Sequence, residues 1–351
     1  MSEGVFAIAG RPVGPGQPPF IIAELSGNHN GSLERALRLL RAAVEAGADA
    51  VKLQTYRPDT ITIDHDGPGF LIEKGPWAGR RLFELYGEAS TPWEWHEALF
   101  AEGRRLGVPV FSTPFDPTAV DFLEGFEVPA FKIASFEIVD LPLVRRIAAT
   151  GKPIVMSTGM ASEEEILEAV AAARDAGARD IVVLHCNSGY PTPVSDSRLA
   201  TMAHLRTITG CPVGLSDHTL GTAVAVAAVA LGAVVIEKHI TLARADGGPD
   251  AAFSLEPDEF ARLCRDCRDA FAAIGEVKRG LSPSEEASRV FRRSLYAVAD
   301  IRAGEPFTEA NIRSIRPGHG LPPKHLPELL GRTARVDIPR GTPLSWALVA
   351  D

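Results

Sequence analysis

The stretch EAGADAVKLQT, residues 45–55, contains in order the end of a helix, a glycine, a short apolar strand and a polar end. A glycine after a helix adopts the left-handed C-cap conformation at little steric cost. The apolar run that follows is typical of a strand buried on both faces, as in a parallel sheet. The stretch therefore predicts one helix–strand junction of a parallel α/β fold.

The same pattern returns along the chain and, with two further apolar runs, predicts eight strands. We place them near 20–25, 50–55, 108–112, 129–134, 153–157, 180–186, 212–216 and 233–239. Eight alternating strand–helix units predict a (β/α)8 TIM barrel. An open doubly wound sheet is the alternative, but it usually has fewer strands and a glycine-rich phosphate loop after the first strand, which this sequence lacks.

Helix start signals lie between the predicted strands. Ser32, Asp116 and Asp140 each precede an apolar-periodic segment and are predicted caps. TPWE at 91–94 and SEEE at 162–165 are predicted capping boxes. The stretch 57–90 is long for a strand-to-helix loop, and long loops in barrels commonly form lids or substrate walls.

The strand–helix repeat stops near residue 275, which divides the sequence into parts. Residues 1–275 are predicted to form the barrel domain, with a short N-terminal hairpin, and 276–290 a polar linker. The remainder, 291–351, contains a short echo, DIRAGEPF at 300–307 and DIPRGTPL at 337–344. We interpret it as a small domain of short strands built from two similar halves.

Bulk composition excludes several classes of protein. The net charge of −9 argues against a nucleic-acid binder or an anionic-membrane binder, because the overall field would repel such partners. The N-terminus has no signal-peptide pattern, and no apolar run approaches the roughly 20 residues of a membrane span. Only four cysteines occur in 351 residues, which predicts a reducing, cytoplasmic compartment.

One cysteine pair could be mistaken for half of a zinc site. Cys264 and Cys267 form a CxxC in a predicted helix, but the sequence has no second CxxC. The spacing places both thiols on one helix face, so a structural role is favoured over metal binding.

Polar residues concentrate where the predicted strands end. In a barrel these ends meet at one mouth, where catalytic groups are found. The candidates are Glu24, Lys52, Gln54, Thr113, Lys132, Ser135, Ser157, Asn187, Tyr190, Ser216, His218, Glu237 and His239.

Two of these candidates are lysines that a barrel would bury. A buried ammonium must be paired, and a ring of hydroxyls and amides around Lys52 and Lys132 suits a small anion that carries phosphate and carboxylate. The alternative is that both lysines only neutralise Glu24 and Glu237. A third possibility is that one lysine forms a Schiff base with a keto acid, as in an aldolase.

His218 and His239 come from adjacent predicted strands at the same level. Two imidazoles with the rest of the coordination shell open fit a divalent ion that keeps waters. Either histidine alone would more often be a plain hydrogen-bonding residue. A non-catalytic sugar- or phosphate-binding protein is a further alternative, but such a protein should have lost some of these charged and imidazole groups.

Several motifs in this order resemble the sialic acid synthase family, the phosphoenolpyruvate-dependent nonulosonic acid synthases. They are AELSGNHNGS (23–32), KLQTY (52–56), STPFD (112–116), KIAS (132–135), STGM (157–160), GLSDHTLG (214–221) and EKHITL (237–242). RSIRPGHGLPP (313–323) is similar to the hallmark of the family's C-terminal antifreeze-like (SAF, β-clip) domain. The resemblance covers nearly the whole chain.

The resemblance implies substrates, a cofactor and residue roles. The substrates would be phosphoenolpyruvate (PEP) and an acetamido sugar, and the cofactor Mn2+ or Mg2+ on His218 and His239. Glu24 would move protons, with Glu237 close by, and Arg316 would reach across a domain-swapped homodimer to the partner's sugar. The residues implied to hold or flank PEP are Lys52, Lys132, Ser135, Ser157, Asn187, Ser216, Thr113 and Gln54, and Tyr190 would shape the sugar end.

Overall fold

The computed structural model describes residues 4–75 and 77–350. Residues 1–3, Pro76 and Asp351, which the predicted domain ranges include, lie outside the described residues. Contacts between residues divide the chain into two compact units, Met1–Gly275 and Glu276–Asp351. No helix of the described ranges is long and apolar enough to cross a membrane.

The first unit contains a closed, parallel barrel of eight strands, which confirms the TIM-barrel prediction. The barrel strands are β3 (Phe20–Glu24), β4 (Ala50–Thr55), β5 (Val110–Pro114), β6 (Phe131–Ile133), β7 (Ile154–Ser157), β8 (Ile181–Cys186), β9 (Val213–Asp217) and β10 (Val235–His239). β10 pairs with β3 and closes the ring. A short hairpin of β1 (Phe6–Ile8) and β2 (Arg11–Val13) precedes the barrel.

The strand predictions hold to within about two residues, and the shift of the third barrel strand has a local cause. The third barrel strand begins at Val110 rather than 108 because Pro109 has no N–H for the ladder. The carbonyl of Pro109 nevertheless accepts from Val51 N at 3.0 Å, so the pairing with β4 starts there.

Helices lie between the strands, and most of them bury an apolar face against the barrel. They are α1 (Leu33–Glu45), α2 (Pro58–Ile61), α3 (Leu82–Ala89), α4 (His96–Leu106), α5 (Pro117–Glu124), α6 (Leu141–Ala148), α7 (Glu163–Asp175), α8 (Thr201–Thr209), α9 (Ala223–Ala230) and α10 (Pro257–Ile274). α10 carries Cys264 and Cys267, both buried and unpaired. Burial raises the pKa of each thiol to about 12, as expected for inert thiols.

Four of the five predicted helix starts are confirmed. Ser162 accepts from Glu165 N at 3.2 Å while Glu165 accepts from Ser162 N at 2.8 Å, a complete capping box. The capping box at 91–94 is wrong: a 3-10 turn occupies Trp93–Trp95 and α4 begins at His96. The Trp93 ring stacks on Phe122 at 4.4 Å, and this tertiary contact accompanies the tight turn where local pattern favoured α-helix.

The second unit has its own small core, built on β11 (Ser294–Ala297) and β12 (Ile312–Ile315). Two short helices, α11 (Pro283–Glu286) and α12 (Leu326–Leu329), belong to it. Its internal echo has a structural meaning, because Ile301 and Ile338 hold equivalent places in the two repeats. Ile301 N donates to Ile338 O at 2.9 Å and the reverse bond measures 2.8 Å, so the two halves pair through matching residues.

Candidate active site

A cavity of about 500 Å³ opens at the C-terminal ends of the barrel strands. Eleven of the fourteen candidates line it, namely Glu24, Lys52, Gln54, Lys132, Ser135, Ser157, Tyr190, Ser216, His218, Glu237 and His239. Barrel closure brings these groups together from seven strands or the loops that follow them. A pocket of this size, with convergent polar groups, is the expected form of an enzyme site.

Strand alternation decides which side chains face the cavity. On β10, Glu237 and His239 point inward and Lys238 points outward, where its Nζ donates to Asp217 Oδ2 at 2.6 Å. The β10–β3 register places His239 opposite Glu24, so an imidazole and a carboxylate lie at the same level of the mouth. The two-residue period of β10 therefore separates Glu237 and His239, which line the cavity, from Lys238, which does not.

Glu24 is held by the turn that follows β3. Ser26 N donates to Glu24 Oε1 at 2.6 Å, and the turn itself is tied down because Asn28 Nδ2 donates to the carbonyl of Ile240 at 2.8 Å. Burial raises the pKa of Glu24, and the ammonium of Lys52 opposes that rise. Glu24 is thus a buried carboxyl group whose protonated form is favoured more than in water.

Lys52 lies between two carboxylates at the floor of the cavity. Its Nζ forms an ion pair with Glu24, lies 3.5 Å from Glu237 Oε1 and donates to Thr113 Oγ1 at 3.1 Å. Burial disfavours the charge, but the two carboxylates outweigh burial and raise the pKa of Lys52. Lys52 is therefore a fixed cation.

Lys132 is the less compensated of the two lysines. Its Nζ donates to the carbonyl of Ile133 at 2.9 Å and lies 4.0 Å from Glu237 Oε1. Burial lowers the pKa of Lys132, whereas the pKa of Glu237 is lowered because the two lysines outweigh its own burial. Around Glu237, the carboxylate whose pKa is lowered, the floor therefore holds two ammonium groups, those of Lys52 and Lys132. This arrangement favours binding of an anion.

Neutral donors surround this pair of lysines. Ser157 Oγ is buried beside the cavity without a hydrogen-bond partner, and Ser216 Oγ donates to Glu237 at 3.2 Å. Ser135 Oγ lies 3.1 Å from Ser188 Oγ. Gly159 allows the backbone after β7 to pack closely against Ser135, since a Cβ at this position would lie 2.3 Å from Ser135 Cβ.

The two histidines lie side by side with their outer nitrogens occupied. Their ring centroids are 5.3 Å apart. His218 Nδ1 donates to the carbonyl of Asn187 at 2.9 Å, and His239 Nδ1 contacts Ser26 Oγ at 3.2 Å. Because a carbonyl oxygen only accepts, His218 donates from Nδ1 and keeps its lone pair on Nε2, the usual arrangement of metal-binding histidines. The Ser26 hydroxyl, which can donate or accept, holds the ring of His239.

Three candidates lie outside the cavity lining. Thr113 stands behind it and holds Lys52. Asn187 holds His218 through its carbonyl, and its amide donates to the carbonyl of Asp196. Arg316 belongs to the second unit, where it is exposed just after β12.

Sequence reasoning missed several residues that line the cavity. Glu137 is the clearest, with an unpartnered Oε2 and a pKa that burial raises to about 7. Its signal was its place two residues after Ser135, at the end of a barrel strand. Asp250 and Phe253 had no such signal, because they belong to the segment after β10 that folds back over the mouth.

Comparisons with known proteins agree with this architecture. The NeuB family matches residues 39–279 and the SAF domain matches residues 292–350. The chain is 46% identical to the pseudaminic acid synthase of Campylobacter jejuni over 93% of this chain and 95% of that protein. It is 43% identical to the pseudaminic acid synthase of Helicobacter pylori over 94% and 97% of the two chains. Among solved structures, the N-acetylneuraminic acid synthetase of Leptospira borgpetersenii superposes with a TM-score of 0.72 at 30% identity, covering 81% of this chain and 94% of that one.

Proposed function

Because the chain belongs to the NeuB family, we propose that it catalyses the reaction of a pseudaminic acid synthase, a transferase. In this reaction PEP condenses with 2,4-diacetamido-2,4,6-trideoxy-L-altrose to give pseudaminic acid and phosphate. The observation that carries the proposal is the pair of buried lysines ringed by serine hydroxyls at the floor of the cavity. The identity to two pseudaminic acid synthases supports this branch over the N-acetylneuraminic and legionaminic branches.

The floor of the cavity suits PEP, an anion with a carboxylate and a phosphate. In the proposed complex, Lys52 and Lys132 supply the charge, and Ser135, Ser157 and Ser216 supply hydroxyl donors. Charge-assisted hydrogen bonds from fixed donors are strong and directional. The unpartnered hydroxyl of Ser157 supports this assignment, since a buried polar atom without a partner is costly unless a ligand satisfies it.

Four further residues complete the proposed PEP and sugar positions. Gln54 lines the cavity beside Lys52, and Tyr190 lies over His218 with ring centroids 4.5 Å apart, at the sugar end. Thr113 and Asn187 act from behind, Thr113 by holding Lys52 and Asn187 by holding the His218 ring.

The proposed chemistry joins C3 of PEP to the open-chain aldehyde carbon of the sugar. Positive charge then develops at C2 of PEP, water attacks C2, and the tetrahedral intermediate loses phosphate by C–O cleavage. Glu24 donates and accepts the protons at the aldehyde oxygen and the attacking water, because its raised pKa allows both forms. Glu237 keeps its charge and stabilises the developing cation.

A divalent ion, Mn2+ or Mg2+, fits the two histidines. His218 and His239 offer Nε2 atoms with Nδ1 already bonded. Within residues 4–75 and 77–350, no group of three or more imidazole, thiol or carboxylate side chains forms a metal cage, so water and substrate oxygens would fill the remaining positions. When bound there, such an ion would supply Lewis-acid polarisation of a carbonyl oxygen.

A homodimer is part of the proposal. Large apolar side chains are exposed in the loops after four consecutive barrel strands, namely Phe136, Val139, Met160, Val194 and Leu220. An apolar rim of this kind around a site entrance is typical of a protein interface. In the proposed dimer, Arg316 reaches the partner's sugar. The unpaired cysteines support a cytoplasmic location.

Phosphate release from PEP with Mn2+ tests the proposal. The altrose sugar is compared with N-acetylmannosamine and with the 2,4-diacetamido-trideoxy-mannose precursor of legionaminic acid. Release with the altrose sugar alone supports the proposal, and release with another sugar assigns the chain to that branch. Release with none of them, from folded, metal-loaded protein, contradicts the condensation.

Two controls separate the mechanism from its alternatives. Glu24→Gln should reduce turnover at least 100-fold, the low end of general acid–base contributions, and full turnover would refute the role of Glu24. Borohydride trapping of a pyruvate adduct on a lysine would instead indicate a Schiff-base aldolase.

A further inference from the structure

The cavity has two chemically different halves. The floor carries the charged and hydroxyl groups described above. Much of the remaining lining is apolar and comes mainly from the segment 56–89 that follows β4, which also contributes Lys74 and Trp77. We define the apolar wall as Tyr56, Ile61, Ile72, Leu82, Leu85 and Tyr86, all of which line the cavity.

Local structure explains why this segment presents an apolar face. On α3, Leu82, Leu85 and Tyr86 recur at helical spacing, so one stripe of the helix faces the cavity. Ile72 is held by a pair of backbone bonds, from its own N to Arg80 O at 2.9 Å and from Gly79 N to its carbonyl at 2.7 Å.

Aromatic packing fixes the base of the wall. Tyr56 is 3% exposed and meets Tyr86 edge-to-face at 6.0 Å and Phe115 at 4.9 Å between ring centroids. Burial raises the pKa of both tyrosines, so their hydroxyls stay neutral. Charged groups border this half: Asp250 and Glu24 lie close enough to raise the pKa of Tyr56, and Glu137 close enough to raise that of Tyr86. Lys74 of the same segment also lines the cavity. The wall thus offers hydrocarbon and two neutral hydroxyls.

We propose that the apolar wall binds the methyl-bearing C6 end of the sugar and selects a 6-deoxy sugar over its 6-hydroxy counterpart. This inference rests on the proposed function. The aldehyde carbon C1 must lie over the charged floor to meet PEP, which directs the far end of the chain, C6, away from it. A methyl group gains from contact with hydrocarbon, whereas a hydroxyl placed there loses its bonds to water.

Ile72→Thr tests the wall, because it keeps the β-branched shape next to the backbone and replaces the ethyl branch of the side chain with a hydroxyl. Ile63→Thr is the matched control: Ile63 belongs to the same segment but is 59% exposed and does not line the cavity. Ile61→Thr repeats the test at a second wall position, in case Ile72→Thr fails to fold.

The readout is the ratio of kcat/KM for a 6-deoxy sugar to that for the same sugar with a 6-hydroxyl group. The unaltered protein should prefer the 6-deoxy sugar by about 10- to 100-fold, the range that apolar pockets achieve. Ile72→Thr should lower this ratio at least about threefold through the KM for the sugar, with the KM for PEP unchanged. Ile63→Thr should leave the ratio as it was.

The inference is overturned if the unaltered protein shows no preference, or if both wall variants keep its ratio. Two sugar pairs separate this result from failure of the proposed function: the diacetamido altrose pair, and N-acetylmannosamine with its 6-deoxy form. If only N-acetylmannosamine and its 6-deoxy form react, the chain is assigned to the N-acetylneuraminic branch, and this pair still gives the ratio of kcat/KM values. If neither pair reacts, the proposed function fails. The dissociation constants of the 6-deoxy and 6-hydroxy sugars, measured by quenching of tryptophan fluorescence, then test whether the apolar wall prefers the 6-deoxy sugar.

Discussion

Replacing Lys52 by methionine should lower the free energy of unfolding, because it removes the nearest cation from two buried carboxylates at the cavity floor. Lys52 is 3% exposed, forms an ion pair with Glu24, and its Nζ lies 3.5 Å from Glu237 Oε1. Methionine keeps most of the side-chain volume but leaves both carboxylates without their nearest cation. Removing one partner of a buried ion pair costs about 3–5 kcal/mol of unfolding free energy, and we expect a loss of this size at pH 8.

The loss should depend on pH in a defined direction. Without Lys52 the folded-state pKa of Glu24 rises further above its ordinary value, so the folded protein binds a proton that the unfolded chain releases. Stability is then lost as pH rises through the window between these two pKa values. At pH 5 the deficit should shrink to about 1–2 kcal/mol, the contribution of the lost hydrogen bond to Thr113.

Urea unfolding followed by tryptophan fluorescence measures this effect. A Trp346→Phe background removes the one tryptophan of the second unit, so that Trp77, Trp93 and Trp95 report on the first unit alone. Lys74→Met is the control, since it removes the same charge from an exposed position on the cavity edge. A deficit equal at pH 5 and pH 8, or no larger than that of the control, would refute the reasoning.

Three further outcomes are expected. Glu137→Gln should stabilise the protein by roughly 2 kcal/mol at pH 8 and not at pH 4, because a pKa near 7 makes the native protein lose stability as pH rises from about 4.5 to about 7; urea midpoints across this range check it. Gly214→Ala should cost about 2 kcal/mol, since its Cβ would lie 2.5 Å from the carbonyl of Val235; an unchanged melting temperature would contradict the packing. His239→Gln should weaken Mn2+ binding at least about tenfold by calorimetry, and unchanged affinity would remove His239 from the metal site.

The sequence by itself determined the barrel and most of its mouth. The glycine–strand–polar repeat marks where each helix stops and each buried strand ends, and both signals are local. Because parallel strands in a barrel all end at one mouth, the repeat also predicted that Glu24, Lys52, Lys132 and Glu237 would meet.

The tertiary structure alone decided which strand-end residues face the cavity and which stand behind it. Thr113 and Asn187 are polar and lie at strand ends, as the lining residues do, yet they support Lys52 and His218 instead. Glu137 gains its pKa near 7 from burial, which no local pattern encodes. The 3-10 turn at Trp93 likewise accompanies a ring that stacks on Phe122 of α5, a contact between residues far apart in sequence.

The apolar wall shows most clearly which features the sequence determines and which the tertiary structure decides. The length of segment 57–90 indicated a functional loop, but its apolar residues follow no single period across the segment. They form one surface only because α3 and the turn that holds Ile72 both fold against the cavity. Local sequence sets where elements begin and end because those signals act within a few residues, whereas burial and pKa depend on atoms that only the closed barrel brings together.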